Sequence, residues 1–201
     1  LIDQSFTALG LTYPTSITAS SSPWGGGAQN PATYPLAMMA QFEFPAVGKR
    51  GPVDLYWYDG GLLPPRPAML PDDAPISAPG SDGGGGMLIG EKGILIHETY
   101  GNRPRIYPES VSKKAETVKQ SIPRITVSHE QNWIQACKGE AQASSPFAQA
   151  APLTETMLLG IAALRAGQGR KVLYDAQNMA FTNAPEANKF LTREYRKGWE
   201  L

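Results

Sequence analysis

The chain has 201 residues, including 21 Gly and 18 Pro, and its formal net charge is zero. Without net positive charge it lacks the basic surface typical of nucleic-acid and membrane-surface binding, and no apolar run approaches the roughly 20 residues of a membrane span, so we expect neither partner. One Cys and two His argue against an internal disulfide, a cysteine zinc centre or a histidine-rich metal site.

The first half of the chain is predicted to form strands separated by Gly- and Pro-rich turns. A short helix over residues 2–9 ends at Gly10, and apolar or alternating runs predict strands at residues 15–20, 36–44 and 53–58. Residues 87–89 and 93–98 are predicted to pair as a hairpin around the turn at residues 90–93. Strands that follow one another without intervening helices favour an antiparallel or mixed sheet.

The second half is predicted to be mainly helical. Ser128 and Gln131 form a capping box for a helix that stops at Gly139. Residues 153–166 have a broad apolar helical face, a short strand follows at residues 171–174, and Asn183 is predicted to cap a last helix. Strands first and helices later are typical of the α+β class.

The most informative local feature is the end of the strand at residues 53–58. Trp57, Tyr58 and Asp59 stand together, and Gly60 and Gly61 then turn the chain into the Pro-rich segment 59–86. Aromatic faces stack on sugar rings and a carboxylate accepts hydroxyl protons, so a sugar-like ligand is one interpretation. A packed strand end with a structural Asx turn is the other.

Other candidate residues carry weaker signals. His97 alternates with Leu95 on a strand, and His129 follows the helix cap, where backbone amides are available to an oxygen-rich ligand. A structural role is the alternative for each His. The glycine run 83–86 precedes a predicted strand, so it favours a flexible connection over a phosphate loop, which needs a following helix. Cys137 lies inside a helix and is predicted to be a packed, unreactive side chain.

Several short motifs occur in an order and spacing that resemble the C-terminal domain of the Gfo/Idh/MocA family of NAD(P)-dependent oxidoreductases. They cover nearly the whole chain: WYDGG (57–61), PPRP (64–67), IGEKG (89–93), YGNRPR (100–105), WIQACKG (133–139), PLTE (152–155), YDA (174–176) and EYRKGW (194–199). The resemblance implies an open, mostly antiparallel sheet with helices on one face. It also implies that the sheet forms a dimer interface and that the intact enzyme oxidises a sugar, cyclitol or related hydroxyl compound.

The chain departs from this family because it has no G-x-G-x-x-G motif and no Rossmann domain. We therefore expect residues 1–201 to be one α+β domain of a larger protein, with residues 1–10 as the tail of the helix that leads from the Rossmann domain. The resemblance implies NAD or NADP for that protein, with none bound by this chain, which would be inactive alone. Its catalytic His would lie upstream, so we predict no catalytic, cofactor or metal residue within the chain.

We predict Trp57, Tyr58, Asp59, His97 and His129 as substrate-binding residues. We further expect self-association through the sheet face, since exposed aromatic sheet faces usually find a partner. The alternative functions are a non-redox carbohydrate-binding or scaffolding protein and an NAD-dependent glycosidase. The sequence leaves the compartment open between cytoplasm and export in a bacterium.

Overall fold

A computed structural model describes residues 1–23, 33–76 and 84–200. Within these ranges the helices are α1 (Ile2–Leu9), α2 (Glu109–Ala115), α3 (His129–Cys137) and α4 (Phe147–Ala166), with a 3-10 helix at Pro185–Phe190. The strands are β1 (Ser16–Ser21), β2 (Met38–Phe44), β3 (Val53–Tyr58), β4 (Gly85–Gly90), β5 (Gly93–Glu98), β6 (Arg105–Tyr107), β7 (Lys171–Asp175) and β8 (Ala180–Phe181). The described pairings are antiparallel, and the α+β class with an open sheet is confirmed.

Five strands form one sheet in the order β3-β2-β1-β7-β8. Paired residues share a face, and one face is apolar and buried: Ile17, Phe42 and Val172 stand side by side at 0–2% exposure. The opposite face carries polar and aromatic side chains together with Met39 and the charged Glu43, Asp54 and Lys171, and most of it is partly exposed. This alternation follows from the two-residue period of a strand that is covered on one side only.

Helix α4 packs on the buried face. A Cβ at Gly160 would lie 3.1 Å from Phe42 Cζ and 3.6 Å from Ala40 Cβ, so the helix and strand β2 are in close contact there. The helix begins six residues before the predicted start and contains Pro152 within its early turns. It is the one helix among the described residues whose length and mean hydropathy, 1.3, meet the criterion for a membrane span, which core helices of soluble proteins also meet.

The strands β4, β5 and β6 form a separate three-stranded sheet. Its buried face packs Ile94 and Ile96 against Leu70 and Ala74 from the Pro-rich segment. Arg66 fixes that segment by donating to the carbonyl oxygens of Pro71 and Ala74, both at 2.8 Å. Residues 66–76 therefore form part of a small core, while residues 77–83 of the glycine-containing stretch lie outside the described residues.

The backbone contacts divide the chain into two compact units. The first contains residues 1–5 and 66–152, and the second contains residues 6–65 and 153–201. The first includes the three-stranded sheet and the second the five-stranded sheet. The prediction of a single domain over residues 1–201 stays a prediction, and each unit is described by itself below.

Three elements were not predicted, one cap was wrong, and Cys137, predicted to be packed, is exposed. Strand β6 and helix α2 lie between the predicted hairpin and the helix that Ser128 caps, and the short strand β8 follows β7. The last helix is a 3-10 helix capped by Ala184. Asn183 instead accepts a hydrogen bond from Leu173 N at 2.8 Å and donates to Lys171 O at 3.0 Å, which extends the edge of β7.

Candidate functional site

The predicted residues at the end of β3 lie in the unit of residues 6–65 and 153–201. Asp59 is bound within the chain through both carboxylate oxygens: Oδ1 accepts from Met38 N at 2.6 Å and Oδ2 accepts from Trp57 Nε1 at 3.0 Å. The Asp59 N–H also donates to Met38 O at 3.1 Å. The carboxylate therefore closes the end of the β2–β3 ladder by a bond across the strands, whereas the Asx turn expected from the sequence would bind an amide two residues further along the chain.

Gly60 fits the same structural role. Its φ is 64°, and a Cβ there would lie 2.3 Å from the carbonyl oxygen of Leu36. Only glycine tolerates both the left-handed backbone and this close approach. The geometry of Asp59 and Gly60 supports the structural interpretation of this strand end, and ligand binding by Trp57 and Asp59 stays a prediction.

Tyr58 belongs to the open face of the five-stranded sheet. It stacks with Tyr56, with ring centroids 6.4 Å apart and planes 23° apart. Tyr56 is 49% exposed, and burial together with the nearby Asp54 holds its pKa above the ordinary value. Met39 pairs with Tyr58 on the same face and is half-buried. The open face thus presents an aromatic patch with Asp54 beside it, which we call the tyrosine face (Met39, Tyr56 and Tyr58).

His97 lies in the other unit, on β5 opposite Gly86 of β4. It is 3% exposed, and its Nδ1 lies 2.7 Å from the carbonyl oxygen of Glu98. Its Nε2 is buried and has no hydrogen-bond partner. A Cβ at Gly86 would lie 2.4 Å from that nitrogen, so the glycine leaves the space that the imidazole occupies. Buried polar atoms without partners are uncommon in native proteins, and this one requires an explanation.

Two further buried atoms without partners belong to the same unit as His97. Thr99 Oγ1 lies 2.7 Å from where a Cβ of Gly84 would be. Thr99 and Gly84 are each two residues from His97 and Gly86, on the same face of the hairpin. Gln4 donates from Nε2 to Thr99 O at 3.3 Å, and its Oε1 is left without a partner. We call these three atoms the polar cluster (Gln4 Oε1, His97 Nε2 and Thr99 Oγ1).

The pairing of β4 with β5 corrects the interpretation of the glycine run as a flexible connection. Gly85 and Gly86 are strand residues paired with Glu98 and His97, and are not part of a flexible connection. Sequence reasoning missed Thr99. The available signal was that Thr99 lies two residues after His97, while Gly84 lies two residues before Gly86. It also missed Gln4, which is 95 residues from Thr99 and gives no local signal.

The same sheet face continues into an open apolar depression of about 480 Å³. Leu88 and Leu95 stand two residues from Gly86 and His97 on the same face, and Ile106 and Val111 complete the apolar lining. The unit thus places an apolar surface next to the polar cluster. Ligand sites commonly combine apolar walls with a few polar groups in this way.

His129 is an exposed residue at the start of α3. Ser128 caps this helix as predicted, with its hydroxyl accepting from Gln131 N at 3.2 Å. The same helix places Asn132 in a buried position, where it holds the following loop through Gln142 O and Ser144 N. The arrangement explains the helix start and the loop, while a ligand role for His129 stays a prediction.

The five predicted site residues are divided between the units: Trp57, Tyr58 and Asp59 in one, His97 and His129 in the other. Among the described residues no group of three or more His, Cys, Asp or Glu is arranged to hold a metal ion. A scan against protein-family models and a search of curated proteins both find no match to this chain.

Proposed function

We propose that this chain is the substrate-binding and oligomerisation domain of an NAD(P)-dependent oxidoreductase that acts on a sugar, a cyclitol or a related hydroxyl compound. The observation that carries the proposal is the one-sided five-stranded sheet, with α4 on its buried face and the tyrosine face left open. That architecture is the one implied by the family resemblance of the ordered motifs between residues 57 and 199.

The tyrosine face supports the oligomerisation part of the proposal. Two stacked aromatic rings and a methionine lie on this partly exposed sheet face, on which Glu43 is paired with Lys171 and Asp54 lies near Tyr56. Aromatic residues and Met are enriched in interface cores. The partner that this part of the proposal requires is a second copy of the chain, placed face to face.

The proposed function requires NAD or NADP, and the glycine run of this chain does not have the form of a site for either. A dinucleotide loop needs a strand, a glycine turn and then a helix N-terminus. Here Gly85 and Gly86 lie within β4, whose hairpin partner β5 follows, so their backbone amides serve the sheet. These residues do not fit NAD(P), and the proposal assigns the nicotinamide to a separate Rossmann domain.

Sedimentation of the purified chain tests the oligomerisation part. We expect a dimer at micromolar concentration for the wild-type chain and a monomer for the double variant Tyr56→Ser/Tyr58→Ser. Tyr100→Ser is the matched control, because Tyr100 is 79% exposed but belongs to the other unit, and it should remain dimeric. A wild-type monomer, or a dimer that survives the double substitution, would contradict the proposal.

The second candidate is a non-redox carbohydrate-binding or scaffolding protein, or an NAD-dependent glycosidase, on the same scaffold. Nicotinamide absorbance of the full-length protein separates the classes. A net change with a sugar or cyclitol supports the oxidoreductase. Glycoside turnover without a net change supports an NAD-dependent glycosidase, and sugar binding without turnover supports a binding or scaffolding protein.

A further inference from the structure

We propose that the polar cluster is a binding site for a polyhydroxylated ligand, a cyclitol or a pyranose, whose hydroxyl groups donate hydrogen bonds to Gln4 Oε1, His97 Nε2 and Thr99 Oγ1. The choice of ligand class rests on the proposed function, while the site and its polarity rest on the cluster itself. The three atoms are buried and have no hydrogen-bond partner, and His97 is 3% exposed.

The hydrogen-bond partners of His97 set the polarity of its free nitrogen. Nδ1 lies 2.7 Å from the carbonyl oxygen of Glu98, which only accepts, so Nδ1 carries a proton and donates. In the neutral ring Nε2 then has a lone pair and accepts. A ligand group at Nε2 must therefore be a donor.

The free atom of Gln4, Oε1, is also a hydrogen-bond acceptor. Its Nε2 donates to the carbonyl oxygen of Thr99 at 3.3 Å, which fixes the amide so that Oε1 is the free atom. The Thr99 hydroxyl both donates and accepts. Two acceptors and one hydroxyl complement adjacent alcohol groups, whereas the acceptor-only oxygens of a carboxylate or a fully ionised phosphate find no donor at Gln4 or His97.

Spacing and surroundings fit a ring-shaped polyol. Gly84 and Gly86, which the Thr99 and His97 side chains face, are two residues apart, or roughly 7 Å along an extended chain. A ring that carries hydroxyls around its edge reaches both ends of that span. The neighbouring apolar depression with Leu88 and Leu95 offers a surface for the C–H face of the ring.

Entry to the site requires displacement of its cover. The side chain of Leu1 contributes to that cover: its Cδ1 lies 3.7 Å from where a Cβ of Gly84 would be, and the residue is 41% exposed. Because Leu1 is already partly exposed, moving its side chain uncovers less apolar surface than moving a fully buried side chain would.

Side-chain NMR of the two histidines tests the site directly, because the chain has only His97 and His129. With ¹⁵N-labelled histidine, at a pH where the imidazole is neutral, we expect the His97 proton on Nδ1. Addition of myo-inositol or glucose should shift His97 Nε2 and leave His129 unchanged, and acetate, which has no donor, should not shift His97. A proton on Nε2 in the neutral ring, no shift of His97 with either polyol, or an equal shift with acetate would overturn the proposal.

A second experiment measures polyol binding by the variant Thr99→Val. The substitution removes the hydroxyl at nearly constant shape and should weaken polyol binding about three- to tenfold, the range for one neutral hydrogen bond. The matched control Thr126→Val changes an exposed threonine of the same unit and should leave the affinity unchanged. Equal affinities for the two variants would overturn the role of Thr99.

The outcomes separate this inference from the proposed function. A chain that dimerises through the tyrosine face while neither polyol shifts His97 refutes the polar-cluster site alone. A polyol-dependent shift of His97 in a monomeric chain, with no nicotinamide turnover by the full-length protein, supports the site and refutes the oxidoreductase domain.

Discussion

Substitution of Gly86 by Ala is the sharpest test of how β4 accommodates His97. The added Cβ would lie 2.4 Å from His97 Nε2 and 2.7 Å from Cε1, whereas carbon contacts are ordinarily about 3.5–4.0 Å. The imidazole would have to move by about 1 Å to restore a normal contact. Because His97 is 3% exposed, that movement takes place inside a packed region.

The expected magnitude follows from two opposing effects. Forcing an extra carbon into a packed interior costs about 1–3 kcal/mol. Gly86 does not have a left-handed backbone, so replacing it by Ala returns about 0.5–1 kcal/mol of strand stability. The two ranges give a net loss between zero and about 2.5 kcal/mol, and at its centre of about 1 kcal/mol the thermal midpoint of a chain of this size falls by roughly 2–4 °C.

Gly90→Ala is the matched control on the same strand and face. Its Cβ would meet only the carbonyl oxygen of Gly93, at an ordinary 3.7 Å, so the variant should be as stable as the wild-type chain or slightly more stable. A double-mutant cycle then isolates the contact. In a His97→Ala background Gly86→Ala should cost nothing, which gives a coupling of about 1 kcal/mol or more.

Calorimetric unfolding of the four single and double variants and the wild-type chain measures these differences. If Gly86→Ala is as stable as Gly90→Ala with His97 present, the close packing of the imidazole against β4 is wrong. If Gly86→Ala destabilises equally with and without His97, the cost arises from the strand and not from the imidazole.

Two further predictions concern the pH dependence of stability in the unit that contains the five-stranded sheet. The Tyr174 hydroxyl donates to Glu155 Oε1 at 2.5 Å, and burial first and then this bond raise the Tyr174 pKa above its ordinary 10.0. The folded chain holds the phenol proton more tightly, so this stabilisation is complete below about pH 10 and falls at higher pH; Tyr174→Phe should flatten that alkaline fall in the unfolding midpoint, and parallel curves would contradict it. Lys171 and then Ser16 lower the Glu43 pKa through hydrogen bonds, so its stabilisation is present above the ordinary 4.5 and falls as acid protonates the carboxylate. Glu43→Gln should reduce the acid-side slope of a urea-midpoint titration by a small amount because the pair is partly exposed, and an unchanged slope would refute the role of Glu43.

The local patterns in the sequence were sufficient for most of the elements. The alternation over Val53–Tyr58 places Leu55 on the buried face, and the Ser128 side chain caps the start of α3, because both depend only on neighbours within a few residues. Asn183 shows the limit of such reasoning. Its side chain bonds the backbone of β7, ten to twelve residues away, in preference to the helix that follows it.

The candidate sites show a similar division. The sequence predicted that Trp57 and Asp59 stand at a strand end, and left a ligand role and a structural turn as alternatives. The Asp59 bond to Met38 N depends on the pairing of β2 with β3, which is a tertiary fact, and it explains the carboxylate as part of the ladder.

By itself, the sequence determined the α+β class, the main strands and helices, and the two faces of each strand, because side-chain period and capping chemistry are local. Only the tertiary structure decided that the chain forms two separate sheets and that Gly86 stands opposite His97. Strand register decides which glycine faces which side chain, and the approach of Gln4 to Thr99 spans 95 residues. No local pattern specifies such contacts, so the polar cluster emerges only when the chain is folded.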